Sequence, residues 1–142
     1  MHKNILFPVD LNHTDSLGKS VETAIYFARA SGARLHVVAV VPGFGLPVVA
    51  SYFPEDFEQK ALASAKQALD RFIASSFPEG LEVLPVVAHG TVYDEILRCA
   101  EELGIDLIVM ASHRPEMQDD LLGSNASTVV RHAKCSVLVV RD

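Results

Sequence analysis

The stretch MASHRPEMQDDLLGSNAS, Met110 to Ser127, holds the residues best suited to chemistry. His113 and Arg114 follow an apolar run, and a guanidinium fork matches the oxygens of a phosphate well. Gly123 and Ser124 stand where a helix is expected to open. The first N–H groups of a helix lack partners and sit at the positive end of its dipole, so they attract an anion. Asp10, directly after the first apolar run, is an acceptor for a ribose hydroxyl, or else the cap of a turn. Three acids, Glu116, Asp119 and Asp120, lie between the two ends of the stretch. They would repel a polyphosphate unless they face solvent or a Mg²⁺ intervenes, and a solvated turn is the expectation.

Other chemistries find no support. GxxxxGK[ST], GxGxxG and GxSxG are all missing, which removes the P-loop, the dinucleotide fingerprint and the nucleophile elbow. The clustered acids and terminal lysine of a receiver domain are also lacking. His2, His13, His36 and His132 share no metal-ligand spacing, so no metal is expected. Cys99 and Cys135 form no CxxC and read as reduced structural thiols. A net charge of −6 and a pI near 5.4 argue against nucleic acid as a partner. No run approaches the roughly 18 apolar residues of a membrane span, and MHKNILFPVD is too short in its apolar part for a signal peptide. A cytoplasmic location follows as an expectation. No general base or lysine clamp for phosphoryl transfer stands out, so an enzyme is not expected, or at most a slow ATPase.

These residues need a frame, and 142 residues, 49% of them hydrophobic, suit one domain with a core. Five apolar runs read as strands: Ile5 to Val9, Leu35 to Val41, Val83 to Ala88, Leu107 to Ala111 and Val137 to Val140. They are nearly continuous, as strands covered on both faces should be. Helical spacing joins Leu17, Val21, Ala24, Ile25 and Ala28, with Gly32 as a stop. A second helix opens at Pro54, with Glu55 and Asp56 in its first turn, and buries Phe57, Ala61, Ala65, Leu69 and Phe72. A third runs from Thr91, with Asp94 as a weak capping box, through Val92, Ile96, Ala100 and Leu103 to Gly104. A fourth begins near Ser124 or Asn125, buries Ala126, Val129, Val130 and Ala133, and ends on Arg131, His132 and Lys134. The irregular segment 42–53 has the length of a lid, a partner contact or a mobile loop.

Alternating strands and helices imply an α/β fold: a doubly wound, five-stranded parallel sheet of Rossmann-like type with right-handed crossovers. Ligands of such sheets gather beyond the carboxyl ends of the strands, where the strand order reverses. The positions expected there are Asp10, Val41 and Pro42, His89 and Gly90, and Ser112, His113 and Arg114.

On these residues the chain resembles the universal stress protein family over nearly its whole length. ILFPVDLNHTDS (Ile5 to Ser16) resembles the family's opening, Val40-Val41-Pro42 the end of its second strand, and His89-Gly90 the turn after its third. The strongest likeness is IVMASHR (Ile108 to Arg114), followed by Leu121-Leu122-Gly123-Ser124 and CSVLVV (Cys135 to Val140). Nucleotide-binding members carry G-x2-G-x9-G-[ST] here. This chain departs from that pattern, with Ala111 and Arg114 in the two glycine positions and eight residues, Pro115 to Leu122, in the spacer. Two glycines that would let backbone approach a triphosphate are thus absent, and Pro115 brings no N–H. The SHRP…LLGSN form is similar to a bacterial subgroup associated with ATP binding, in which Arg114 would supply charge in place of backbone donors.

The resemblance implies strand order 3-2-1-4-5, one universal stress protein domain over residues 1–142, and ATP as ligand, with or without Mg²⁺. It gives Pro8 and Val9 the floor of the site, Asp10 the ribose or adenine, and Val41 a backbone contact to the adenine edge. Met110 and Ala111 would lie beneath the sugar, and His113, Arg114, Gly123, Ser124 and Asn125 would hold phosphates. It also implies a homodimer through the last strand, whose apolar edge has a physical reason to be covered. The function expected is a homodimeric, nucleotide-binding stress-response regulator or sensor. The alternatives are a nucleotide-free dimeric interaction protein and a slow ATPase.

Overall fold

The computed structural model describes residues 1–42, 57–112 and 124–141. Five strands form one parallel sheet: β1 (Asn4–Val9), β2 (Arg34–Pro42), β3 (Val83–Gly90), β4 (Leu107–Ser112) and β5 (Ser136–Arg141). Among the described residues four helices connect them: α1 (Gly18–Ser31), α2 (Phe57–Ser76), α3 (Val92–Glu102) and α4 (Ser124–His132), with a 3-10 turn at Thr14–Ser16 before α1. The strand order is β3-β2-β1-β4-β5, as expected.

Strand alternation divides the core in two. Ile5, Phe7 and Val9 of β1 turn to the face covered by α1 and α2, among Val21, Ala24, Ala28 and Leu69. Leu6 turns to the other face with Val38, Ile108 and Met110, under Ile96 and Ala100 of α3 and Ala126 and Val129 of α4. Each fully buried Leu, Ile, Val or Phe stabilises the fold by about 1.5–3 kcal/mol relative to an exposed one. Phe7 also meets Phe77 edge to face, with ring centres 6.2 Å apart. Because α1 and α2 lie on one face and α3 and α4 on the other, the order reverses between β1 and β4.

Several expectations shift at element ends. His89 and Gly90 do not follow β3 but belong to it, paired with Val41 and Pro42, which extend β2. Ser112 likewise is the last residue of β4, paired with Arg141. Thr91 is the N-cap of α3 but its side chain makes no capping hydrogen bond, so the capping box is not formed. Val130 does not face inward: it is 45% exposed, because the buried stripe of α4 runs through Ala126 and Val129. On α2 only Leu69 of the expected stripe is fully buried, since this helix covers β3, an edge strand that is itself mostly half-buried. Pro54, Glu55 and Asp56 and the segment after Pro42 lie outside the described residues.

Candidate functional site

The carboxyl ends of β1 and β4 meet where the strand order reverses. Their register is Ile5↔Leu107 and Leu6↔Ile108, yet β1 continues to Val9 and β4 to Ser112. The β1–β2 register, in contrast, runs unbroken to Val9↔Ala39. The β1–β4 ladder thus ends at Leu6↔Ile108, and the switch point of such a sheet forms the crevice where a ligand usually binds.

Asp10 stands at the lip of this crevice, and its carboxylate is already oriented. The N–H of Asn12 donates to its Oδ1 at 3.0 Å, and the Nδ1 of His13 lies 2.9 Å from its Oδ2. The backbone N–H of His13 donates to the Asp10 carbonyl at 3.0 Å. Asp10 therefore does cap a turn, and the ring of His13 fixes the direction of the carboxylate. Sequence reasoning weighed His13 only as a metal ligand and missed this pairing. The signal was there in the D-x-x-H spacing from Asp10 to His13.

Around Asp10 the other expected residues divide by face. Val9 is buried beneath α1 with Ile5 and Phe7, and Ala111 is half-buried on that same face. Met110 is buried on the opposite face with Ala126 and Val129, so it joins the crevice to the start of α4. Pro8 and Val41 are half-buried at their strand ends, and Asn125 is half-buried in the first turn of α4. The backbone of α4 begins at Ser124, as expected. Gly123, His113 and Arg114, like the acids Glu116, Asp119 and Asp120, lie outside the described residues.

The helix starts on this edge differ in charge. Glu58 is in the first turn of α2, and Asp94 and Glu95 are in that of α3. The first turn of α4 has no acid, and its last turn carries Arg131 and His132. An anion is thus disfavoured at α3 by the side chains already there, and less so at α1 and α4, whose first turns carry no acid. Farther along the edge, His89 places Nδ1 2.9 Å from Oε1 of Glu58, while its Nε2 is buried with no hydrogen-bond partner among the described residues. Sequence reasoning did not anticipate that contact, since the two residues are 31 positions apart.

Neither cysteine suits nucleophilic work. Burial pushes the thiols of Cys99 and Cys135 up from the usual value, which lowers the thiolate fraction. Cys135 lines a cavity of about 250 Å³ with Ala100, Glu101, Ile105 and His132. That cavity lies at the amino ends of β4 and β5, away from the crevice. No group of three or more potential metal-binding side chains occurs among the described residues.

The Universal stress protein family model matches residues 1–141. The chain belongs to the universal stress protein family. Universal stress protein G of Escherichia coli O157:H7 is 35% identical over 144 aligned positions, covering 99% of this chain and 100% of that protein. The universal stress protein UspA from Lactobacillus plantarum superposes with a TM-score of 0.73 at 27% identity, covering 98% of this chain and 97% of that one. A universal stress protein from Archaeoglobus fulgidus, in complex with dAMP, superposes with a TM-score of 0.71 over 96% of each chain. At 22% identity that last likeness speaks for the shared fold. No helix among the described residues is long and apolar enough to cross a membrane.

Proposed function

We propose that this universal stress protein binds an adenine nucleotide, ATP in the first instance, in the crevice between β1 and β4, and acts in the cytoplasm as a homodimeric regulator or sensor of stress. The observation that carries the reading is the early end of the β1–β4 ladder at Leu6↔Ile108 beside an oriented carboxylate, with the acid-free start of α4 on the same edge. A relative of the same fold holds dAMP, which suits an adenine ligand here.

In this reading Pro8 and Val9 form the floor, and Asp10 accepts from a ribose hydroxyl. The contacts to Asn12 and His13 orient the carboxylate for that role. Val41 offers backbone to the base, and Met110 and Ala111 support the sugar. Ser124 and Asn125, with Gly123, His113 and Arg114 before them, hold the phosphates, and Mg²⁺ is an optional companion of the ligand. Regulation needs binding and release rather than turnover, and none of these residues is given a catalytic role.

The test is direct. Freshly purified protein is heat-denatured and the supernatant run on anion exchange with ultraviolet detection, alongside calorimetric titration with ATP. Near-stoichiometric adenine nucleotide, or saturable ATP binding, is expected. An empty trace with no heat of binding would leave a dimeric interaction protein instead. Asp10→Ala and Gly123→Val should each weaken ATP about tenfold or more, the loss of one charge-assisted contact or of close backbone approach. Unchanged affinity in both variants would place the ligand elsewhere.

A further inference from the structure

Backbone direction explains why the β1–β4 ladder stops. The N–H of Arg34 donates to the carbonyl of Lys3 at 3.0 Å, and the N–H of Asp106 donates to the carbonyl of Asn4 at 3.0 Å. Backbone groups of an extended strand point to alternate sides from one residue to the next. Ile5, Phe7 and Val9 therefore bond β2, whereas Asn4, Leu6 and Pro8 address β4. Continuing the register from Leu6↔Ile108 by two residues sets Pro8 level with Met110. The next bond of the ladder would run from the N–H of residue 8 to the carbonyl of Val109, and proline has no N–H to give. Pairing with β2 is untouched, because Pro8 does not bond on that side.

A second proline shows that direction matters. The N–H of Leu35 donates to the carbonyl of Glu82 at 2.9 Å, so even-numbered residues of β3 address β2. Pro85 is odd, and its nitrogen turns to the open edge. There a missing donor breaks nothing, and the β2–β3 register passes through Val37↔Pro85 without interruption. Within a central strand, Pro8 removes a donor on the one side where the order of the sheet reverses.

We infer that Pro8 is a positioning residue: it holds β1 and β4 apart at their carboxyl ends, and the gap so opened admits the sugar and base of the nucleotide. The inference rests on the nucleotide-binding reading for its second half only. With an N–H at position 8, the ladder would extend toward Met110 and draw the strands to the roughly 4.8 Å spacing of a paired sheet. The crevice would then close beside Asp10.

The experiment compares the full chain with Pro8→Ala, Pro8→Val and, as a control, Pro85→Ala. Amide hydrogen exchange by NMR reads whether the new N–H is bonded, and calorimetry reads ATP affinity. Protection of the residue 8 amide by about a hundredfold or more is expected in both Pro8 variants, with ATP affinity reduced at least about tenfold and no fall in thermal midpoint beyond a few degrees. Pro85→Ala should leave affinity unchanged. A merely structural role for Pro8 would lower stability and affinity together. An unprotected residue 8 amide overturns the inference, and so does a protected amide with unchanged affinity, since the gap would then admit nothing. Failure of the unaltered protein to bind ATP overturns the nucleotide reading instead, and exchange at residue 8 still decides whether Pro8 parts the strands.

Discussion

His36 is buried in β2, with its Nε2 3.2 Å from Oδ1 of Asn4. Burial holds its pKa below the usual histidine value, Arg34 adds to that, and Glu82 opposes it. In the unfolded chain the same ring titrates near its ordinary value of about 6.5. Between the two values the unfolded state holds a proton that the folded state lacks, so stability rises with pH through this window. The contribution is fully present above the unfolded value and is lost as pH falls toward the lower folded one. Denaturant midpoints measured from pH 7.5 down to 5 should therefore decline, and His36→Gln should flatten that slope, because the other histidines are common to both proteins. An equal slope in the variant would remove His36 from the account. Asp10 shows a different economy at this scale: one residue ends a strand, caps a turn and presents an oriented carboxylate, because Asn12 and His13 are close enough in sequence to hold it.

Helices α1 and α3 end where glycine permits a left-handed residue. Gly32 follows α1 with φ +64°, its N–H donating toward the Ala28 and Arg29 carbonyls, and no atom lies within 4 Å of where a Cβ would stand. The cost of Gly32→Ala is then conformational rather than steric, about 1 kcal/mol, and Gly32→Asn should cost less. Urea titration of both variants checks this, and equal stabilities for Ala and glycine would show that the cap is not under conformational demand. Gly32 and Gly104 were readable as stops because each followed a run of helical spacing, and the five strands were readable because they are apolar on both faces. The ends of elements were not. His89 and Gly90 extend β3 because Val41 and Pro42 pair with them, and no local pattern marks a pairing with residues 48 positions away. Val130 fits the helical period yet is 45% exposed, because what covers a helix face depends on where the sheet ends. At the site, Asp10 and the start of α4 were legible from residue type. The early end of the β1–β4 ladder was not, since it depends on which side of the strand each N–H faces.

Of the two edges of the sheet, β3 and β5, that of β5 has the stronger reason to be covered. Among the described residues β5 pairs only with β4, and its Val137, Leu138 and Val139 are half-buried. Val130 of the neighbouring α4 adds a further exposed apolar side chain. A bare apolar strand edge invites pairing with another chain, and a twofold copy of the same edge is the closed way to satisfy it. In the homodimer we propose, β5 pairs with its own counterpart, so an acid in place of Val139 sets like charges near each other within a desolvated contact. Val139→Asp should convert a dimer into a monomer by sedimentation velocity at micromolar concentration, raising the dissociation constant about a hundredfold or more. The crevice between β1 and β4 lies one strand away from this edge, so ATP affinity per chain should change little in the monomer. A protein that sediments as a monomer before substitution would refute the dimer and leave the edge to a different partner. A Val139→Asp variant that remains dimeric would mean that copies meet through some other face.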